Sequence, residues 1–377
     1  IAATPRGLIP FDTAILNTRS SSSMATGYSL NGYVRHAWYM AGWDRDFTQA
    51  PQARVMLGEP LVVYRTEEGR IVVLADRCAH RLAPLSHGRC EGQKLRCLYH
   101  GVLFNPDGSC AEVPGQEIVP PSVRVRAYPA VEKDNAVWVW MGPADKADEA
   151  LIPDFKGYAH PDWALEPGHM EMDAPAKLIH DNLLDLSHVG WVHKNSFAGG
   201  SDRATRGWIY GKTEVDKLPR GVRVTRRMEN VPPVPAGGLR VLKDKGPGDF
   251  YSWYEFLSPG IFIQFAARYP QGTLARCGEN PPDVEPLFSS YTCQAVTPVT
   301  EGKARYYFAF GPDSRFPGEK QFFFELSEQA FGEDKTMIEA QYKIMKMSPE
   351  VRTMRLAMDK VLSTYEGIEK DLLAAEA

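Results

Sequence analysis

The sequence is poor in cysteine, in long apolar runs and in surplus positive charge, and each shortage excludes a class of protein. Six cysteines in 377 residues are too few for a disulfide scaffold. The longest apolar runs, such as 136–141 and 261–267, have the length of strands and not of membrane spans. Lysine and arginine number 43 against 47 acidic residues, so the net charge of −4 argues against a nucleic-acid-binding protein.

The first residues differ from the rest of the chain and contain no continuous apolar segment of the kind that a secretory signal requires. Asn17-Thr18-Arg19 precedes four serines and Met24. Our hypothesis is that residues 1–30 are a leader, that its first 23 residues are vector-derived, and that the natural start is Met24.

The remaining chain is predicted to have an α+β fold in two domains. Residues 31–145 show short strands separated by turns, including a hairpin over 60–74 and a turn at 105–108. A polar stretch over 144–154 is a linker candidate, and residues 146–377 form the second domain. There we expect a helix over 177–193, strands between 205 and 310, a helix over 319–345, and a last helix from near Pro349. Its predicted buried stripe is Val351, Met354, Met358, Val361, Tyr365, Ile368 and Leu372.

Two cysteines each lie close to a histidine. Cys78-Ala79-His80 and Cys97-Leu98-Tyr99-His100 are separated by sixteen residues and have turn-like flanks. Two thiolates and two imidazoles suit either a tetrahedral zinc ion or a Rieske [2Fe–2S] cluster. Cys90, Cys110, Cys277 and Cys293 have no histidine at ligand spacing, so we expect them to be ordinary thiols.

A second group of possible metal ligands lies over residues 181–193. Two histidines with one carboxylate form the facial triad of non-haem Fe(II) oxygenases. On a regular helix Asp185 and His188 share a face, whereas His188 and His193 point about 140° apart. We therefore expect the helix to end or deform near Gly190. The spacing alone does not identify the carboxylate.

Both motifs resemble those of the Rieske non-haem iron oxygenases. The first does so through Cys78-Ala79-His80-Arg81 and Cys97-Leu98-Tyr99-His100-Gly101, and the second through the stretch from Asp181 to His193. The segments 36–43, 105–108, 112–116 and 336–341 resemble the subgroup of vanillate O-demethylase and toluenesulfonate methyl-monooxygenase. This family combines an all-β Rieske domain with a helix-grip catalytic domain, in which a curved antiparallel sheet surrounds a long helix.

The resemblance implies a role for each candidate residue. Cys78, His80, Cys97 and His100 would hold the [2Fe–2S] cluster, and His188, His193 and Asp334 the mononuclear Fe(II). Asp334 is favoured over Glu333 and Glu339 because Glu333-Asp334-Lys335 resembles the family signature on a C-terminal helix. Asp185 would be the inter-subunit electron-transfer bridge between His100 of one subunit and His188 of the next. Asp181 and Asn182 would support the ligands. His180 has no role in the motif and is expected to be structural, and Trp191 is expected to lie in the core rather than to contact substrate.

The resemblance also implies the function. The chain would be the terminal oxygenase of a monooxygenase system that uses O₂ to hydroxylate or O-demethylate a small aromatic substrate, an aromatic acid in this subgroup. No flavin or nicotinamide motif is present in the sequence, so electrons from NADH would come through a separate reductase of the flavin and ferredoxin type. We expect a cytoplasmic homotrimer whose pocket is lined from roughly Trp208 to Phe310 and by the C-terminal helix. The alternatives are a ring-hydroxylating dioxygenase, a Rieske electron carrier without a second iron, and a structural zinc protein.

Overall fold

The computed structural model describes residues 29–197, 207–209, 211–233, 240–243 and 246–376. Residues 1–28 of the predicted leader lie outside the described residues. No helix of the described part is both long enough and apolar enough to span a membrane.

The N-terminal part is built from three small antiparallel sheets, with strand orders β1-β11-β10, β2-β3-β4-β9 and β5-β6-β7-β8. The predicted hairpin is confirmed, because β3 and β4 pair across a turn closed by a hydrogen bond from Thr66 N to Arg70 O (2.8 Å). The strands are β1 Trp38–Trp43, β2 Gln52–Met56, β3 Glu59–Arg65, β4 Ile71–Ala75, β5 Arg89–Glu91, β6 Lys94–Arg96, β7 Leu103–Phe104, β8 Cys110–Glu112, β9 Ala127–Tyr128, β10 Ala130–Lys133 and β11 Ala136–Trp140.

The C-terminal part is one seven-stranded antiparallel sheet, in the order β12-β18-β17-β16-β15-β14-β13, with helices packed on it. Its strands are β12 Glu166–Met172, β13 Lys212–Leu218, β14 Gly221–Val231, β15 Gly248–Leu257, β16 Ile261–Tyr269, β17 Phe288–Thr300 and β18 Lys303–Pro312. The helices are α1 Ala176–Leu184, α2 Val189–Val192, α3 Thr273–Cys277, α4 Lys320–Met347 and α5 Lys360–Ala374. The α+β prediction is confirmed.

Side-chain alternation divides the sheet into two buried faces. On β17, Tyr291, Cys293 and Ala295 pack against the tryptophans of β1 and β11, while Val296 packs with the core that contains the helices. Successive residues of a strand point to opposite faces, so a strand buried on both sides has no polar alternation in its sequence. The two parts of the chain therefore share a continuous apolar core.

Two local predictions are corrected. The stretch predicted as a linker over 144–154 contains two 3₁₀ turns and buries Ile152 in the tryptophan core. The last helix begins at Lys360 and not near Pro349. Before it lies a 3₁₀ turn over Ala357–Asp359, at whose start Leu356 N donates to the Asp359 carboxylate (2.7 Å). Val351 and Met354 are consequently exposed (68% and 81%) rather than buried.

Candidate functional site

Cys78 and Cys97 begin two tight loops of matching geometry. In the first loop Leu82 N donates to Cys78 O (2.9 Å), and in the second Gly101 N donates to Cys97 O (2.9 Å). Gly101 has φ +76°, and a Cβ there would lie 2.9 Å from Pro114 Cγ, so both its backbone conformation and its surroundings favour glycine. The sequence thus brings Cys and His of each motif to the tip of a hairpin-like loop.

The four side chains of these loops are separated into buried sulfurs and exposed imidazoles. Cys78 and Cys97 are each 1% exposed, while His80 and His100 are exposed, with ring centroids 4.6 Å apart. Burial, together with the neighbouring Cys97, raises the pKa of the Cys78 thiol to about 11. Two buried cysteine sulfurs beside two exposed imidazoles are suited to a metal centre that binds thiolates.

The second motif is helical only up to Leu184. Asp185 leaves the helical conformation (φ −119°, ψ 89°), and its carboxylate caps a 3₁₀ turn over Leu186–His188 by accepting from Ser187 N (2.9 Å). The short helix α2 then ends before His193. The predicted deformation is present, but it lies at Asp185 and not at Gly190, because the aspartate offers the backbone an alternative hydrogen bond.

This break brings both histidines to Asp334 on α4. His188 Nε2 lies 3.5 Å from Asp334 Oδ1, and His193 Nε2 lies 3.2 Å from Asp334 Oδ2. Possible ligand atoms of all three residues lie within 4.8 Å of one another, and Asp334 and His193 are buried (6% and 2% exposed). Two imidazoles and one carboxylate therefore face a common point.

Outer hydrogen bonds orient the two imidazoles. His188 Nδ1 contacts Asp185 O (2.5 Å), and His193 Nδ1 contacts Glu333 Oε2 (2.9 Å), so in each ring Nδ1 acts as the donor and Nε2 is left with its lone pair toward Asp334. Burial by itself would lower the pKa of both rings. At His193 the carboxylates of Asp334 and Glu333 outweigh burial and raise its pKa, whereas at His188 burial prevails and its pKa is lowered.

A cavity opens beside these three residues, between the helices and the inner face of the sheet. Most of its lining is apolar, and the polar exceptions outside the three residues are a few side chains such as Asn182, Gln264, Arg268, Ser290, Thr292 and Gln294. Arg268 donates to the carbonyls of Val231 and Gly246. A concave apolar cavity with few polar groups is typical of a small-molecule site. Its lining includes residues of the predicted stretch 208–310 and of α4, and it also includes residues between 182 and 197.

Comparisons with known proteins agree with this geometry. Residues 37–129 match the Rieske [2Fe-2S] domain, and residues 172–375 match the vanillate O-demethylase oxygenase C-terminal domain. The toluene-4-sulfonate monooxygenase system iron-sulfur subunit of Comamonas testosteroni is 36% identical over 91% of this chain and 98% of its own length. The chain belongs to the Rieske non-haem iron oxygenases.

Two further relatives support the assignment. The dicamba O-demethylase oxygenase component of Stenotrophomonas maltophilia is 33% identical over 73% of this chain and 77% of its own. A crystal structure of dicamba monooxygenase bound to 3,6-dichlorosalicylic acid has a TM-score of 0.82 and 27% identity, covering 91% of this chain and 98% of that one. This Rieske oxygenase therefore has the expected family fold and, with it, a [2Fe–2S] cluster and a mononuclear iron.

The side chains fit both metal groups of a Rieske oxygenase. Among the described residues, His188, His193 and Asp334 are the group of three or more whose ligand atoms are close enough for one ion. Cys78, His80, Cys97 and His100 are not such a compact set, which disfavours one zinc ion at tetrahedral bond lengths. Buried sulfurs and exposed imidazoles suit two irons, one held by each residue type.

The structure separates the other candidates. Glu339 accepts from Asp173 N (2.8 Å) away from the three ligand candidates, and Asp181 lies in a different cleft beside Arg352 and Glu366. Burial raises the pKa of Asp181 to about 7. His180 is fully buried, as expected of a structural residue, but the prediction for Trp191 is wrong, because its side chain is 69% exposed.

Two contacts were missed by the sequence reasoning. Asn182 Nδ2 donates to Asp334 Oδ1 (3.0 Å), a closer role than the general support assigned to it. Glu333, considered only as a rival ligand, instead accepts from His193 and from Ser196 Oγ (2.7 Å). Glu333 could be singled out in the sequence because it directly precedes Asp334. Only the orientation of α4 shows that its carboxylate faces His193.

Proposed function

We propose that this chain is the terminal oxygenase of a monooxygenase system, and that it hydroxylates or O-demethylates a small aromatic substrate, preferentially an aromatic acid. The observation that carries the proposal is the convergence of His188, His193 and Asp334 at the wall of an apolar cavity. Three protein ligands leave coordination positions open for O₂. The named activities of the relatives, which act on toluene-4-sulfonate, dicamba and vanillate, support the substrate class.

We assign His188, His193 and Asp334 as the ligands of Fe(II), and Cys78, His80, Cys97 and His100 as those of the cluster. When bound, these groups supply one-electron transfer and O₂ activation. The chain itself orients the imidazoles through Asp185 O and Glu333, and its phenylalanine-rich cavity excludes water from the substrate.

The overall reaction for a methyl ether is balanced by O₂, two electrons and two protons. Oxygen insertion into a C–H bond of the methyl group gives a hemiacetal, which collapses to the phenol and formaldehyde, and the second oxygen atom leaves as water. Because the sequence contains no nucleotide-binding motif, the electrons are supplied by a partner. The relatives are named as parts of multi-component systems, which supports a separate NADH-dependent reductase of the flavin and ferredoxin type.

We further propose a cytoplasmic homotrimer with domain boundaries at 31–145 and 146–377. In it Asp185 would bridge two imidazoles from different domains. Its carboxylate would accept from His100 of a neighbouring subunit, and its backbone oxygen would hold His188 through Nδ1. The described contacts support this, since Asp185 is only partly buried and already holds the turn that carries His188. His100 is likewise exposed at its loop.

A screen for formaldehyde release tests the function. The purified oxygenase, a Rieske-system reductase and NADH would be incubated with methoxylated aromatic acids, and with toluenesulfonate to detect methyl hydroxylation instead. We expect formaldehyde in proportion to NADH consumed with at least one methoxylated acid, or a hydroxymethyl product from the sulfonate. Formation of a ring cis-diol would identify a dioxygenase and contradict the proposal.

A further inference from the structure

The cavity beside the iron ligands (the catalytic cavity) is separated by a thin partition from a larger outer cleft, which is lined by β14, α3 and residues 207–212. The cavity has a volume of about 160 Å³ and the cleft one of about 610 Å³. Among the described residues, Met228 and Val231 of β14 line both spaces. An apolar cavity of about 150 Å³ can hold one benzene ring. The inner space therefore fits a single aromatic ring, and these two side chains stand between it and the cleft.

A β-bulge in β14 turns the two partition side chains to the same side. The register with β15 shifts between Met228 and Val231, and Asn230 has φ +56°. Residues three apart on a regular strand point to opposite faces, and the extra residue of a bulge reverses this alternation. The buried Asp249 carboxylate holds the bulge, because it accepts from Asn230 N (3.1 Å) and from Leu274 N (2.8 Å). The partition thus stands on a fixed backbone.

The Met228 side chain lies in a slot beside two glycines. A Cβ at Gly207 would lie 3.1 Å from Met228 Sδ, and a Cβ at Gly211 would lie 2.8 Å from Met228 Cγ. Gly211 N donates to Gly207 O (2.9 Å), so both glycines belong to one turn. The absence of a side chain at both positions leaves the room that the thioether occupies.

The frame around Met228 is anchored, whereas its side chain is flexible. The guanidinium of the preceding residue, Arg227, donates to the carbonyls of Gly278 (3.1 Å) and Asn280 (2.9 Å). Methionine is unbranched and has three rotatable side-chain bonds, whereas valine is β-branched and stiff. Of the two partition residues, Met228 is therefore the one that can change rotamer while Val231 stays in place.

We propose that Met228 is the gate between the outer cleft and the catalytic cavity, and that an aromatic substrate displaces this side chain on its way to the iron ligands. A substituent wider than the ring must displace the thioether further, so Met228 selects substrates by their width at entry. This inference rests on the proposed function for the class of molecule that passes, and adds to it the route and the residue that controls it.

A gate residue and an ordinary wall residue differ in what their removal changes. A ligand passes a gate both on entry and on exit, so removal of the gate raises the association and dissociation rate constants together and leaves Kd almost unchanged. Loss of an ordinary wall contact weakens the complex mainly by raising the dissociation rate constant. Binding kinetics therefore distinguish the two roles of Met228.

Stopped-flow binding to the metal-loaded oxygenase without O₂ tests the proposal, with tryptophan fluorescence as the signal because Trp208 lines the cavity. The probes are anisole and the wider 3,5-dimethylanisole. The variants are Met228→Ala, which removes the gate, and Met228→Ile, which stiffens it. The controls are Glu229→Gln, which lines only the cleft, and Phe323→Leu, which lines only the cavity. The visible cluster spectrum and the melting temperature of each variant establish that it is folded.

We expect Met228→Ala to raise both rate constants for anisole about tenfold with Kd changed less than about threefold, and Met228→Ile to lower both about threefold. The wild type should admit 3,5-dimethylanisole about tenfold more slowly than anisole, and Met228→Ala should remove most of this difference. Glu229→Gln should match the wild type, and Phe323→Leu should change the dissociation rate alone. Rate constants unchanged by Met228→Ala, a change confined to dissociation, or no binding of anisole to either protein overturns the proposal.

The outcome is independent of catalysis, because O₂ and the reductase are absent from the binding experiment. A protein that shows these changes in the rates of anisole binding but never oxidises an aromatic supports the gate and contradicts the proposed function. A protein that releases formaldehyde from a methoxylated acid, while Met228→Ala leaves both rate constants unchanged, supports the function and overturns the gate.

Discussion

The hydrogen bond between His193 and Glu333 is expected to raise the affinity of the site for Fe(II) by a measurable factor. Glu333 Oε2 lies 2.9 Å from His193 Nδ1 and 2.7 Å from Ser196 Oγ, so one carboxylate fixes the ring and its tautomer. Glu333→Ala removes the acceptor and the charge, and Glu333→Gln keeps an oxygen acceptor of the same size. Outer partners of ligating histidines contribute about 10–100-fold to metal affinity.

The Glu333 carboxylate is about a quarter exposed (26%), so solvent screening places the expected effect in the lower half of that range. We expect Fe(II) to bind roughly tenfold to thirtyfold more weakly to Glu333→Ala, and roughly threefold more weakly to Glu333→Gln, because the neutral amide retains the hydrogen bond.

Anaerobic Fe(II) titration of protein depleted of its mononuclear iron measures this effect, with nitric oxide as an electron paramagnetic resonance probe of the occupied site. Glu339→Gln is the matched control, because Glu339 is on the same helix but contacts Asp173 N instead. The cluster spectrum should be unchanged in all variants. Iron affinity of Glu333→Ala within twofold of the wild type would refute the reasoning.

Three further predictions concern other parts of the molecule. Asp185→Asn should leave both metal groups bound but lower turnover about 10–100-fold, and unchanged turnover would exclude the bridge. Burial depresses the pKa of His180 to about 3, so only the unfolded chain takes up a proton as the pH falls below about 6.5, and stability is lost in that direction. Chemical denaturation should show about 2 kcal/mol lost by pH 5 relative to a His180→Leu variant, and parallel pH profiles would contradict this origin. Gly101→Ala should reduce the cluster content of the purified protein, whereas Gly69→Ala, at a positive φ (+89°) with open space around it, should not, and equal effects would exclude the contact with Pro114 as the cause.

The sequence predicted the ligand candidates better than it predicted their surroundings. The Cys-x-His and Cys-x-x-His spacings are local, so one loop brings each pair together, and the loops confirm that arrangement. Which carboxylate meets His188 and His193 depends on the packing of α4 against the sheet, some 140 residues farther along the chain. Asp334 could be predicted only from the family resemblance. The sequence could not predict that the Glu333 side chain points toward His193 or that Asn182 points toward Asp334.

The errors have identifiable physical causes. A periodic apolar stripe over 351–372 predicted a helix, but the helix begins at Lys360, after the first three stripe residues. The Asp359 carboxylate instead accepts from Leu356 N in the 3₁₀ turn that precedes the helix. Periodicity likewise could not show that Trp191 is exposed, because α2 is a single turn whose neighbours determine its burial.

The proposed oxygenase function requires a second iron held by His188, His193 and Asp334. Iron analysis of the wild type and of Asp334→Ala, combined with the cluster spectrum and product formation, measures it. We expect about three irons per chain in the wild type and about two in the variant, with the cluster spectrum retained and product lost. A variant that keeps its third iron and its turnover would contradict the assignment of this site.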